Sequence, residues 1–375
     1  MNSFPAVRKI LGSGFSFELT EALFLRLLGL IYLAAFGSFL PQVTGLIGSQ
    51  GIEPAGQLLS TFRTQLGYAA FLEAPTLFWF GISDRALFWC CALGCVAGLL
   101  LGAGVLPRIS ALLCWILYLS ITTVGQPFTG FQWDALLLEA GFLALFAGAR
   151  WLPRAYRFLL FRLMFESGAV KLLSHDPNWR NFHALRFHFM TQPLPNPIAY
   201  YAYRAPTWLL DPMTASTLAI ELIAPFLLFG TRLLRHIGAV LLIVLQVVIL
   251  LTGNYAFFNL LALALCLWAL DDRTFAPLFP VLRWSWPKLP DFGKPTIFWL
   301  RTGADTVLAV LMTLGMIQLV NMFVPRFTRL AEPILAEIAP FEIVNTYGLF
   351  AVMTTTRPEI IIEGSNDQVN WLEYS

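Results

Sequence analysis

Residues 158–173 read FLLFRLMFESGAVKLL. Arg162, Glu166 and Lys171 interrupt an otherwise apolar run, so hydropathy alone does not make it a membrane span. Whether it crosses decides on which side every later loop lies. Clearer apolar segments flank it at 22–40, 86–104, 109–125, 134–148, 207–230, 236–252, 255–270 and 303–324. A helix needs about 20 mostly apolar residues to cross a hydrocarbon core of about 30 Å. The shorter segments read as tilted or partly interfacial helices.

The basic residues arbitrate, because short cytoplasmic loops hold an excess of Lys and Arg. Let the N-terminus, with Arg8 and Lys9, lie inside, and let 158–173 cross. The inside loops then hold Arg108, then Arg150, Arg154 and Arg157, then Arg232 and Arg235. The last, 271–302, holds Arg273, Arg283, Lys288, Lys294 and Arg301. Outside loops 126–133 and 253–254 hold no Lys or Arg. Without the crossing, the most basic loop would lie outside. The expected fold is an all-α polytopic membrane protein. Residues 1–325 form a bundle of about nine transmembrane helices, with the N-terminus inside and the C-terminus outside.

Composition agrees. Of 375 residues, 58% are hydrophobic and 12% charged, against about 25% charged in soluble globular chains. Mean hydropathy is +0.70. This argues against disorder, a nucleic-acid-binding domain and a secreted disulfide scaffold. The five cysteines (Cys90, Cys91, Cys95, Cys114, Cys266) lie in apolar segments and read as small buried hydrophobes. No cleavable signal peptide and no glycosylation sequon is evident. Gly94, Gly98 and Gly102 recur every fourth residue, a surface for close helix packing.

Two longer segments lie outside. Residues 41–85 are punctuated by Gly and Pro and hold an amphipathic stretch, Leu58–Phe71. Residues 174–206 are polar, aromatic and Pro-rich and hold three of the four histidines. After Pro340 the character changes: Thr346–Met353 and Glu359–Gly364 have strand-like composition, and Trp371–Tyr374 suggests a third strand. Residues 326–375 therefore read as the incomplete beginning of a β-rich extramembrane domain.

Ionisable groups inside a membrane need a partner or a role. Arg26 and Asp305 lie near segment ends, where they can reach the interface. Glu139 and Glu221 sit deeper and are candidates for function or for buried structural bonds. Arg162 and Glu166 are four apart and share a helix face. Lys171 lies about 140° around the helix from Glu166, so its acid must come from another helix, with Glu139 and Glu221 the nominees. A partly desolvated lysine can act as a base, and an interfacial one merely snorkels. His183 and His188 are five apart, the wrong spacing for a helical metal pair, so no metal site is expected.

Four ordered blocks resemble the lipase maturation factor family. They are Gln132-Trp133-Asp134 with Leu136–Phe142; Ser167–Leu172 with Asp176-Pro177 and Trp179-Arg180; Thr191–Pro195 with Tyr200-Tyr201; and Tyr347–Thr355 with Arg357–Ile360 and Glu363–Ser365. The resemblance adds Asp134, Asp176, Trp179 and Arg180 to a candidate polar cluster with Glu139, Arg162, Glu166, Lys171 and Glu221. It implies a membrane-embedded, chaperone-like factor that helps secreted lipases fold and assemble, with membrane lipid and an exported client, a lipase, as partners. No cofactor and no nucleic-acid partner are implied. The membrane would be the endoplasmic reticulum in a eukaryote and the inner membrane in a bacterium. The family usually continues past Tyr374, so the chain reads as a shortened or short member. Gly168-x-x-Lys171 with Asp176-x-x-Trp179 is also similar to vitamin K-dependent γ-carboxylase, which implies an alternative. In it Lys171 would be the base of an enzyme acting on a quinone-like substrate.

Overall fold

The computed structural model describes residues 16–194, 196–275, 298–324 and 331–374. Arg8, Lys9, Pro195, most of the 271–302 loop and the expected boundary at 325–326 lie outside these residues. Among the described residues a helix occupies each of the nine expected segments. These are α1 (Glu18–Phe39), α2 (Asp84–Ala103), α3 (Pro107–Val124), α4 (Gln132–Ala144), α5 (Leu152–Leu173), α6 (Thr207–Leu227), α7 (Arg232–Thr252), α8 (Phe258–Cys266) and α9 (Phe298–Phe323). Local signals set several ends. The Ser83 hydroxyl accepts the Ala86 N–H to start α2, Gly104 ends it at φ +77°, and prolines open α3 and α5.

Six of the nine (α1, α2, α3, α6, α7 and α9) are long and apolar enough to cross a membrane. Their outer faces expose Leu27, Leu93, Leu99, Ile223, Val240 and Val310, side chains that suit lipid and not water. The other three differ in kind. Helix α4 has 13 residues, about 20 Å, and α8 is shorter still before a 3-10 turn at Leu267–Ala269. Both are largely buried within the bundle. Helix α5 has 22 residues, about 33 Å, enough to span. It packs against α4, α6, α8 and α9. Its inner charges, Arg162, Glu166 and Lys171, are buried among protein neighbours, which is why its hydropathy is low and its position central.

Lipid tails are as apolar as leucine, so these helices associate by close packing and polar bonds. Helices α1 and α2 show the first. A Cβ added at Gly29 would sit 2.3 Å from the Gly102 nitrogen and 2.7 Å from the Gly98 oxygen. A ring of Phe36 fills the space over Gly94. The expected glycine stripe is thus the seam at which two backbones touch.

Outside the bundle, residues 41–85 hold short helices at Val43–Ile47 and Ala55–Leu66, the second overlapping the expected amphipathic stretch and ending at Gly67. Residues 174–206 hold Pro177–Arg180, Leu185–Thr191 and Pro197–Tyr203. The C-terminal strand reading needs correcting in part. Glu363–Gly364 (β1) and Leu372–Glu373 (β2) pair antiparallel, but Thr346–Met353 forms no strand. That segment runs irregularly into the bundle, where side chains and not a neighbouring strand bond its backbone.

Candidate functional site

The nine candidate residues form three groups with outliers. In the first, Arg162 on α5 meets Glu139 on α4 through two bonds, Nη1 to Oε1 at 2.9 Å and Nη2 to Oε2 at 3.2 Å. Its expected helical partner Glu166 is farther, Oε1 lying 3.6 Å from Nε. All three side chains are at most 5% exposed. Two carboxylates thus share one guanidinium, and backbone and hydroxyl dipoles must offset the rest. The C-terminal segment supplies them. Tyr347 donates its N–H to Glu166 Oε2 at 2.6 Å and its O–H to Glu139 Oε2 at 2.8 Å. Asn345 N–H reaches Glu139 Oε2 at 3.0 Å, and Arg162 donates in turn to the Asn345 carbonyl. Such charge-assisted bonds are roughly twice as strong as neutral ones.

The second group answers the question of Lys171. Its acid is Glu221 on α6: Nζ lies 2.7 Å from each carboxylate oxygen and donates to the Ser167 carbonyl at 3.2 Å. Glu139, the other nominee, is taken by Arg162. Gly168 lets the two helices approach, since a Cβ there would lie 2.9 Å from Glu221 Cβ. The Trp179 ring sits 5.1 Å from Nζ. A cavity of about 200 Å³ adjoins the pair, lined by Trp179, His188, Thr217, Ile220, Val244 and Phe350 among others. A smaller one of about 40 Å³ also touches the pair, lined by Trp133, Met164, Gln246 and Tyr255 among others. Three oxygen acceptors thus lie within hydrogen-bond reach of Nζ, one for each N–H of an ammonium. The geometry is that of a buried ion pair joining α5 to α6, and the alternative of Lys171 as an enzyme's base finds no support in it.

The third group ties the first outside helix of 174–206 to the C-terminal segment. Asp176 caps Asn178 at 2.7 Å and accepts the Met353 N–H, while Trp179 Nε1 donates to the Phe350 carbonyl at 2.8 Å. Ser174 Oγ donates to the Ala351 carbonyl at 2.6 Å. Asp134 stands apart at the start of α4, bonded by the Tyr118 hydroxyl at 2.5 Å and the Phe131 N–H at 3.2 Å. Arg180 is exposed beside His175. Of the two end-of-segment charges, Arg26 donates to its own helix at Ala22, and Asp305 accepts the Trp151 N–H.

Several polar residues at these sites were not candidates. Tyr347 and Asn345 complete the first group. His188 borders the larger cavity and is joined to Tyr255 and Gln192: the Tyr255 hydroxyl lies 3.2 Å from both His188 Nε2 and Gln192 Oε1. Burial, then the charge of Lys171, pushes the His188 imidazole down to about 4. Asn259 donates to Gln246 at 2.8 Å between α8 and α7. Of these, only Tyr347 and Gln192 stood in recognisable blocks.

A helical bundle with a lipid-facing apolar belt, clamped internally by buried ion pairs, defines an integral membrane protein of the polytopic α-helical class. The family model for the lipase maturation factor transmembrane domain matches residues 19–277. Lipase maturation factor 2 of Xenopus laevis is 40% identical over 282 residues, covering 69% of this chain and 40% of that protein. Lipase maturation factor 1 of Mus musculus is 31% identical over 389 residues, covering 93% and 66% respectively. The Homo sapiens lipase maturation factor 1 matches to the same extent. The chain belongs to the lipase maturation factor family, and it spans between 40% and 66% of the length of these relatives. No solved structure matches it.

Proposed function

We propose that the chain is a membrane-embedded, chaperone-like maturation factor that assists the folding and assembly of secreted lipases or similar exported proteins. Family membership supports this, and one structural observation carries it further. The ion-pair groups strap the C-terminal segment onto α4, α5 and the 174–206 loop, so that the segments read as outside share one end of the bundle. Residues 41–85 join them there, with Phe62 and Glu73 lining a cleft alongside Pro340 and Glu342. Around this end Tyr68, Phe80, Tyr201 and Trp208 are each more than 70% exposed. Aromatic groups held on a rigid base are suited to transient contact with the apolar surface of a partly folded client. Trp179 and Phe189 are buried and serve the base instead.

In this reading Glu139, Arg162, Glu166, Lys171, Glu221 and Asp176 are positioning residues. The N-terminus is cytoplasmic and the client end lumenal or extracytoplasmic, in the endoplasmic reticulum of a eukaryote or the inner membrane of a bacterium. The 343–353 segment and the β1–β2 hairpin lie on the client side. The test is co-expression with a secreted lipase in cells lacking their own factor. With the chain absent, secreted lipase mass should persist while activity per mass falls. Unchanged specific activity removes the lipase claim.

A further inference from the structure

At the other end of α5, Arg150, Arg154, Arg157, Arg232 and Arg235 line an open cavity of about 570 Å³, with Phe17 at its side. Two long helices begin here. Helix α5 opens at Leu152 and α7 at Arg232, and neither N-cap side chain bonds its first turn. The free N–H groups of a first turn carry partial positive charge, which disfavours neighbouring cations and favours anions. Helix electrostatics alone would keep arginines away from these ends.

Arg232 and Arg235 are paired within the protein, whereas Arg150, Arg154 and Arg157 are incompletely matched among the described residues. Asp271 pairs with Arg232 at 2.9 Å and with Arg235 at 3.4 Å. Arg157 donates from Nε to the Trp268 carbonyl at 2.6 Å, and its guanidinium stacks 4.7 Å over Phe17. Its Nη2 is buried with no hydrogen-bond partner among the described residues. Arg150 and Arg154 are exposed. Setting membrane orientation requires basic residues in a loop but does not require that they converge on a cavity.

We propose that this cavity binds a phosphate group, carried by the headgroup of an anionic phospholipid. Guanidinium forks match phosphate oxygens in pairs, the first turn of α7 adds backbone N–H donors, and both helix ends add a favourable field. The lipid source follows from position. The cavity sits where two membrane helices end, and Leu233, Leu234 and Ile237, exposed on the first turns of α7, offer acyl chains an apolar track. Basic pockets between helix ends are suited to such headgroups.

The experiment uses the full chain purified in neutral detergent and follows thermal unfolding. Dioleoyl phosphatidylglycerol, dioleoyl phosphatidylcholine and inorganic phosphate are added separately. Phosphatidylglycerol should raise the unfolding midpoint and phosphatidylcholine should not. The double variant R150Q/R154Q should weaken the apparent affinity for phosphatidylglycerol by about tenfold or more. A control, R63Q/R204Q, removes two exposed arginines elsewhere and should leave it unchanged. Raising salt should abolish the shift in the unaltered chain, a measurement that stands even if a variant folds poorly. A full shift from inorganic phosphate alone keeps the phosphate site but assigns a soluble source. Equal stabilisation by both lipids, equal loss in the two double variants, or a salt-insensitive shift overturns the proposal.

Discussion

Replacing Glu221 by Gln leaves the Lys171 charge in place with its counter-charge gone. The structure sets the scale. Nζ lies 2.7 Å from both carboxylate oxygens, and the two side chains are 3% and 8% exposed. At an effective dielectric constant near 20 the attraction is about 6 kcal/mol, and the desolvation of each ion costs several kcal/mol. The pair is therefore worth little net, whereas losing one member leaves a buried, unmatched charge at a cost of about 3–5 kcal/mol. The variant K171M keeps the side-chain stem and strands Glu221 in the same way. Each single change should lower the unfolding midpoint by on the order of 5–10 °C.

The double variant K171M/E221Q removes both charges, and its loss should be under about 2 kcal/mol, far below the sum of the singles. The measurement is thermal unfolding of the purified chain in one detergent, for all four members of the cycle. A coupling energy of about 3 kcal/mol or more is expected. If the two losses add to within about 0.5 kcal/mol, the residues act independently and the clamp between α5 and α6 is not real.

Three further changes probe other joints. Y347F deletes the O–H bond to Glu139 at 2.8 Å and should cost about 1.5 kcal/mol, since that carboxylate keeps other donors. Limited proteolysis should then cut the 343–353 segment faster, and unchanged protection would contradict the strap. G29A drives a Cβ to 2.3 Å from the Gly102 nitrogen, where no backbone can yield, whereas G37A on the same helix meets nothing within 4 Å. The first should destabilise by about 1–3 kcal/mol or more and the second hardly at all; equal melts would refute the seam. His188 links stability to pH. Its folded value is pushed from 6.5 down to about 4 by burial and then by Lys171. The unfolded chain thus binds the proton first, and stability present above pH 6.5 is lost as pH falls from 6.5 towards 4, at about 1.4 kcal/mol per unit. H188Q should flatten the midpoint-against-pH slope between pH 7 and 5, and an unchanged slope rules His188 out as its source.

The nine helical segments were legible because a membrane demands long apolar runs, and the basic loops led to the expectation that α5 crosses despite its charges. What hydropathy could not rank was burial. Helices α4 and α8 look like weak spans by length, yet they are interior elements shielded by their neighbours. Helical spacing put Lys171 and Arg162 on different faces, which already required two different acids. It could not say which acid served which base, because that depends on the approach of α4 and α6 to α5. Gly168 marks one of those approaches in the sequence, but only the fold gives its direction.

The strand reading of Thr346–Met353 failed for a related reason. Aromatic and β-branched residues suit a strand and equally suit an irregular segment whose side chains are buried. The difference lies in where the backbone bonds go, and here they go to carboxylates: Tyr347 to Glu166, 181 positions away, and Met353 to Asp176, 177 away. No local pattern encodes partners so distant. The same fact gives the buried acids of α4 and α5 their second use. An ion pair that only held helices together would close with one acid per base, whereas Arg162 faces two, and the surplus acceptors are filled by the returning C-terminal chain. The charge imbalance inside the bundle is thus what recruits the returning C-terminal segment, which makes the bundle interior and the end carrying residues 174–206 and 343–353 a single mechanical unit.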